Sequence, residues 1–379
     1  MRSEVNRRSV IQRLGVAAAT SLSLPAWAQR ENKVVLGQSA AFTGPAAQLG
    51  IQMNLGAKVC FDQVNASGGV NGASIDLRTL DDAYDPARCK ANTEKFIADG
   101  VFALFGYVGT PTSLAALPLV NESRLPFFAP FTGAMALREP FSRNVFHIRA
   151  SYDDETGLIV KQLVSLGLKK IAVFRQNDSY GQAGLDGVNK ALKERSLEPV
   201  AVATVERNSV NVAQAVQTIV AAKPDAVVQI SAYKSCAAFI REARKAGYGG
   251  TFYNVSFVGT QALADELGAE ARGVVVSQVM PFPFATTVQI SREYLDALKA
   301  AGGDAKPNYS SMEGYLAARV FVEGLKRGRV NSRDGLITGL ESMQGINFGG
   351  FGIDFGNRDH VASKFVELSM LGADGSVRR

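Results

Sequence analysis

Two short stretches carry the residues best suited to holding a small molecule. The first is Phe102-Ala-Leu-Phe-Gly-Tyr-Val-Gly-Thr-Pro-Thr112. It runs from an apolar strand into a turn broken by Gly106 and Gly109, and ends in the hydroxyls of Thr110 and Thr112. Pro111 stands where a helix would begin, at a favoured first-turn position. The second, Pro126-Phe-Phe-Ala-Pro-Phe-Thr-Gly133, repeats the design with Phe131, Thr132 and Gly133. Such corners lie outside the carboxyl end of a strand, where hydroxyls and helix-start N–H groups can hydrogen-bond a polar or anionic group. Either one alone also reads as an ordinary strand–helix turn; two in succession read as a site.

Catalytic chemistry has little to build on. The chain holds only 2 histidines, His147 and His360. His147 lies in the alternating run Val145-Phe-His-Ile-Arg149 and reads as a structural residue. His360 follows a polar turn and reads as solvated. No nucleophile elbow, phosphate loop or zinc-protease pair occurs. Gly350-Phe-Gly352 with Gly356 has the wrong spacing for a dinucleotide fingerprint. Asp81 and Asp82 are adjacent on a strand and point to opposite faces, so they serve better as a strand-end turn pair than as an acid/base dyad. The reading is of a protein that is not an enzyme, with no cofactor and no metal site.

The elements that must position these corners follow from the rest of the chain. Its 379 residues allow two domains with sizeable cores, and 46% hydrophobic against 20% charged residues indicates a folded protein. Residues 1–28 read as a signal peptide: Arg7, Arg8 and Arg13 form a basic region, Leu14 to Leu24 an apolar one, and Ala26-Trp-Ala28 a cleavage site. Asn6-Arg7-Arg8-Ser9 leaves a Sec or a twin-arginine route open. Four arginines and one glutamate in that segment account for half of the net charge of +6. No basic run remains that would suggest nucleic acid, and no further stretch is long enough to span a membrane, so an exported, soluble, periplasmic protein is expected.

Beyond the leader, strands and helices alternate. Strands are expected at 33–40, 75–80, 102–105, 127–130 and 145–149, with helices at 46–66, 86–99 and 111–121 between them. This reads as a parallel sheet covered on both faces. The chain then starts again. Helices at 155–166, up to 195, 211–222 and 234–246 alternate with strands at 170–174, 200–205, 226–230, 251–255 and 274–280. Helices at 288–301, 310–327 and 332–342 are too strand-poor for a third domain and should return to the first unit. Gly349–Phe355 and Phe365–Met370 are expected to return as strands to the second. The partition is 29–149 plus 281–345 for an N-terminal lobe and 150–280 plus 346–379 for a C-terminal lobe. Cys60 and Cys89 fall on helices that right-handed crossovers place on opposite faces of the first sheet. With Cys236 they are expected as free, buried thiols. Tyr107, Thr110, Phe131 and Thr132 sit at corners of the first unit, and Tyr152, Tyr180, Tyr233, Ser256 and Phe257 at corners of the second. Together they suit a cleft with apolar walls and a few fixed polar groups.

Several motifs carry a resemblance: Thr43-Gly-Pro45, Val64-Asn-Ala-Ser-Gly-Gly-Val-Asn-Gly72, Asp81-Asp-Ala-Tyr-Asp-Pro86 and Asn177-Asp-Ser-Tyr-Gly181. Over nearly the whole chain, in order, it resembles the periplasmic branched-chain amino-acid-binding proteins, the type I solute-binding proteins of ABC importers. The resemblance implies an α/β, two-lobed type I periplasmic-binding-protein fold. Each lobe would be a doubly wound, mostly parallel sheet flanked by helices, joined by three hinge crossings, with a ligand clamped by hinge closure. It implies a monomer that delivers its ligand to a permease driven by ATPase subunits in the inner membrane. It also implies that the Gly109-Thr110 and Phe131-Thr132-Gly133 corners hold the ligand carboxylate, and that Tyr180, Tyr233 and the Asn254–Phe257 loop face it. Amino-acid-binding members carry an acidic residue on that loop for the ligand ammonium; here the position is Ser256, and Phe131 replaces a small residue. The expected ligand is a small carboxylate, a branched-chain, aromatic or related organic acid or else an amino acid, with the amine-free acid favoured and stacked among Tyr107, Phe131, Tyr180, Tyr233 and Phe257. Asp153 and Glu313 remain as alternative sources of the missing charge. A ligand-sensing module of a signalling receptor system is the competing role for the same fold.

Overall fold

The computed structural model describes residues 32–379; the leader read in residues 1–28 lies outside the described residues. The first lobe opens with β1 (Lys33–Ala40), whose last four residues are all buried, followed by α1 (Ala47–Ala66) and β2 (Ser74–Asp81). Then come α2 (Pro86–Ala98), β3 (Ala103–Phe105), α3 (Thr110–Ser123), β4 (Phe127–Phe128) and β5 (Val145–Phe146). The strands pair in parallel in the order β2-β1-β3-β4-β5. This is a doubly wound sheet with a hydrophobic layer on each face. Cys60 belongs to one layer and Cys89 to the other, and with Cys236 they are buried and free.

The second lobe follows with α4 (Tyr152–Ser165), β6 (Ile171–Gln176), α5 (Ser179–Lys193), β7 (Ala201–Val205), α6 (Ala213–Ala221) and β8 (Ala226–Ile230). It continues through α7 (Tyr233–Lys245), β9 (Thr251–Asn254), α8 (Thr260–Leu267) and β10 (Val275–Gln278). The chain then returns to the first lobe as α9 (Gln289–Ala301), α10 (Tyr309–Gly328) and α11 (Arg333–Glu341). Near its end come β11 (Ile346–Phe348), β12 (Phe351–Ile353), β13 (Glu367–Leu371) and β14 (Val377–Arg378). The second sheet has the order β14-β13-β10-β9-β8-β6-β7, parallel except at its edge, where β13 pairs antiparallel with β10 and β14 antiparallel with β13. Side-chain caps set three of the helix starts. Asp85, Asp178 and Asn308 each accept a backbone N–H in the first turn of α2, α5 and α10.

Two expectations are corrected. Gly349–Phe355 does not join the second sheet. It folds back on Ile346–Phe348 as a separate hairpin, because Gly349 and Gly350 take left-handed φ values of 58° and 106° in the turn. The Gly349 carbonyl then accepts the Ile290 N–H of α9, so the hairpin stays with the first lobe. The strand expected over 145–149 ends at Phe146; His147 to Arg149 leave the sheet as the first crossing and pair with the third, His147 N–H bonding His360 O at 2.8 Å and Ala362 N–H bonding His147 O at 2.8 Å.

Helix α1 lies on α10 with backbones in close approach. A β-carbon on Gly56 would overlap the Ser311 carbonyl, and one on Gly314 would overlap the Met53 carbonyl. This crossing closes the core of the first lobe beneath β1 and β3, where Phe61, Phe105, Phe128 and Phe321 pack edge to face and stacked.

Candidate ligand-binding cleft

The two corners meet. Thr110 and Thr132 lie with hydroxyl oxygens 2.7 Å apart, and the Tyr152 hydroxyl is 3.4 Å from Thr132. Gly109 is the N-cap of α3 at φ 105°, and a β-carbon there would overlap the Tyr84 ring. A β-carbon on Gly133 would sit 2.6 Å from the Tyr152 ring. Both glycines are therefore cut away to admit aromatic rings. Those rings form one cluster: Tyr84–Phe257 at 5.9 Å, Phe131–Phe257 at 5.7 Å, Tyr180–Phe257 at 4.6 Å and Tyr152–Tyr180 at 5.4 Å. Phe131 and Tyr84 come from the first lobe, the others from the second, so the cluster spans the cleft. Tyr233, at the start of α7, reaches the backbone of Gln48 at the start of α1.

Tyr107 is corrected. The left-handed bend at Gly106 breaks the alternation after Phe105 and carries the Tyr107 ring to the other face of the first sheet, where it packs on Phe127 at 5.1 Å and its hydroxyl lies 3.1 Å from that of Thr93 on α2. His360 is not solvated. It is buried, stacks on Phe146 at 3.7 Å and contacts Val145 O and Glu341. His147 is buried with Nε2 on the Leu137 carbonyl, and burial holds its pKa well below the ordinary value.

Tyr84 was not among the residues the sequence singled out. The carboxylates before it put it in place. Asp81 accepts the Ala83 N–H and Asp82 the Tyr84 N–H, and both residues sit at left-handed φ, 48° and 61°. The Tyr84 hydroxyl, thrown across the cleft, accepts Gln176 Nε2 at 3.2 Å, and Asn208 Nδ2 donates to the Ala83 carbonyl at 3.1 Å. The two acids differ electrically. Burial raises the Asp81 pKa, but bonds from Thr43, Phe42 and Ala83 outweigh it and bring it to about 2, whereas burial carries Asp82 up to about 6. A depressed folded pKa gives stability above the unfolded value of 3.8 that is lost as pH falls through about 2. Asp81→Asn should therefore lower the melting temperature at pH 7. Melts at stepwise lower pH should show the gap to the parent closing between about 4 and 2; a gap that does not depend on pH would refute this.

Three charged groups line the deeper cleft. Helix α4 starts three residues earlier than expected, at Tyr152, because Ser151 and Asp154 form a capping box. This sets Glu155 one turn in, fully buried, where its carboxylate accepts the Ser256 N–H at 2.7 Å, the Ser256 hydroxyl at 3.0 Å and the Ser277 hydroxyl at 2.5 Å. Burial pushes its pKa up, against the pull of Arg149 and these bonds. On the first crossing, Arg149 is 1% exposed and donates from Nε and Nη2 to both oxygens of Glu313 at 2.9 and 2.8 Å. Its guanidinium lies 4.2 Å from the centre of the Phe131 ring. Asp153, the other charge considered from sequence, instead faces outward to Lys190 at 2.9 Å.

Two α/β lobes that meet across an aromatic cleft define a class of fold suited to holding a small molecule. The comparisons with known proteins give the class its family. Residues 33–375 match the family described as periplasmic binding protein, and the chain belongs to it. A Leu/Ile/Val-binding protein homolog 7 from Brucella melitensis is 25% identical over 96% of this chain and 94% of its own. Among solved structures, a possible leucine/isoleucine/valine-binding protein from Rhodopirellula baltica superposes with a TM-score of 0.86 at 34% identity, over 92% of this chain and 96% of that one. A substrate-binding periplasmic protein from Ralstonia solanacearum gives 0.86 at 30%, over 91% and 99%. The protein is a non-enzymatic periplasmic binding protein of the branched-chain amino-acid-binding type, and it has the type I fold. No helix among the described residues is long and apolar enough to cross a membrane.

Proposed function

We propose that this chain is the substrate-binding component of an ABC importer. It takes a small carboxylic acid without an amine, branched or aromatic, between its lobes and delivers it to an inner-membrane permease and its ATPase subunits. The observation that carries the ligand reading is the state of the cleft carboxylates. Ser256 leaves the loop without an acid, and Glu155, which reaches that loop from α4, is covered by three donors. Glu313 is held at both oxygens by Arg149. Neither is free to meet an ammonium group, which is costly to bury unpaired. The aromatic cluster supplies the walls for an apolar body.

A thermal-shift panel tests this on the purified protein: leucine beside 4-methylpentanoate, phenylalanine beside 3-phenylpropanoate, each acid beside its primary amide. A ligand at a hundred times its Kd stabilises the folded state by about 2.7 kcal/mol, enough to move the melt clearly. Shifts with the amine-free acids alone support the reading; shifts with leucine or phenylalanine alone overturn it.

A further inference from the structure

The buried guanidinium of Arg149 has three donor nitrogens, and only two are used. Nε and Nη2 grip Glu313, while Nη1 is buried without a hydrogen-bond partner. An unpaired donor on a buried cation is expensive, and native structures rarely keep one without a reason. Beside it lies a cavity of about 10 Å³, room for about one water-sized atom. It is bounded by Phe131, Arg149 and Glu313, by Ser256 and Gln278 of the second lobe, and by Ser310 at the start of α10. It therefore sits where both lobes and two of the crossings meet. At the Thr110–Thr132 corner, by contrast, the hydroxyls already lie within hydrogen-bond distance of each other.

We propose that the carboxylate of the ligand is read by Arg149, with Nη1 donating to an oxygen seated in this cavity and Glu313 fixing the plane of the fork. This rests on the amine-free-acid reading above and moves the acid end away from the threonine corner that the family resemblance implies. The apolar body then lies along Phe131, Phe257 and Tyr180. Phe131 belongs to the first lobe and the other two to the second, so the rings part when the lobes open. Arg138 is also buried nearby, its guanidinium on the Thr132, Ala134 and Arg149 carbonyls, so two cations balance Glu155 and Glu313 and the ligand oxygen meets a site whose protein charges already cancel.

The test is the ratio of affinities for 3-phenylpropanoate and 3-phenylpropanamide, measured by calorimetry on the full chain. Arg149 is compared in the parent, in Arg149→Lys, and in Arg149→Met/Glu313→Leu, where both charges leave together and the fold is retained; a melt confirms folding of each. A hydrogen bond to a charged group contributes about 1.5–3 kcal/mol, so the acid-to-amide ratio should fall about 10- to 100-fold in the double variant. In Arg149→Lys it should fall less, because the charge stays but the fork geometry is lost. A structural role alone would weaken acid and amide equally, so an unchanged ratio in the folded double variant overturns the Arg149 assignment and leaves the ligand class standing. A parent that prefers the amide, or binds neither, overturns both readings.

Discussion

Glu313→Gln should cost about 3–5 kcal/mol of stability, one of the two largest losses expected from a single substitution in this chain. Glu313 is 2% exposed and accepts both Nε and Nη2 of Arg149. Glutamine keeps the shape but leaves a buried guanidinium without its counter-charge. Denaturant melts should show the loss directly. The same principle predicts the rescue: Arg149→Met/Glu313→Leu should unfold at or above the parent midpoint, since an apolar pair of similar volume avoids the desolvation of both ions. A Glu313→Gln protein that melts with the parent would mean that water reaches Arg149 and that the pair is not desolvated.

The second large effect is expected at Gly56, where α1 meets α10. Its β-carbon would overlap the Ser311 carbonyl, and what lies in the way is backbone that cannot rotate aside. Gly56→Val should cost about 3 kcal/mol, the upper end for overpacking, and push the two helices apart. Gly157→Ala is the contrasting case. Gly157 is also helical, but a β-carbon there meets nothing within 4 Å. Alanine should then gain about 0.5–1 kcal/mol from the unfolded chain and the helix propensity. Calorimetric melts of the two variants should move in opposite directions; stabilisation of both would refute the close α1–α10 approach.

How far the sequence could be read depended on how local the cause was. The run Lys33–Ala40 could be read as β1 because its apolar content and flanking turn are contiguous. The corner glycines were legible because left-handed backbone and close packing both demand glycine, as at Gly109. Arg149 looked like the end of a strand, since its partner lies 164 residues away and no local pattern points to it. Glu155 was read as the first residue of a helix, although Ser151 and Asp154, three apart, were a capping signal that would have placed it one turn in. For Tyr84 both acids were visible, but not that they would hold the next two residues at positive φ and send the ring across the cleft. Tyr107 was assigned to the wrong face because the chain bends at Gly106, φ 61°, between the strand and the corner.

The α1–α10 crossing also sets the order in which the chain can fold. The glycine-lined seat of α1 is filled by residues 309–328, which emerge from the ribosome only after β6 to β10 of the second lobe have been made. Until then the first five strands and their helices carry an uncovered apolar face, and the closing contact spans some two-thirds of the sequence. Such long-range closure slows folding. A nascent or truncated chain ending before Tyr309 should therefore stay unfolded and protease-sensitive, even though it contains every strand of the first sheet.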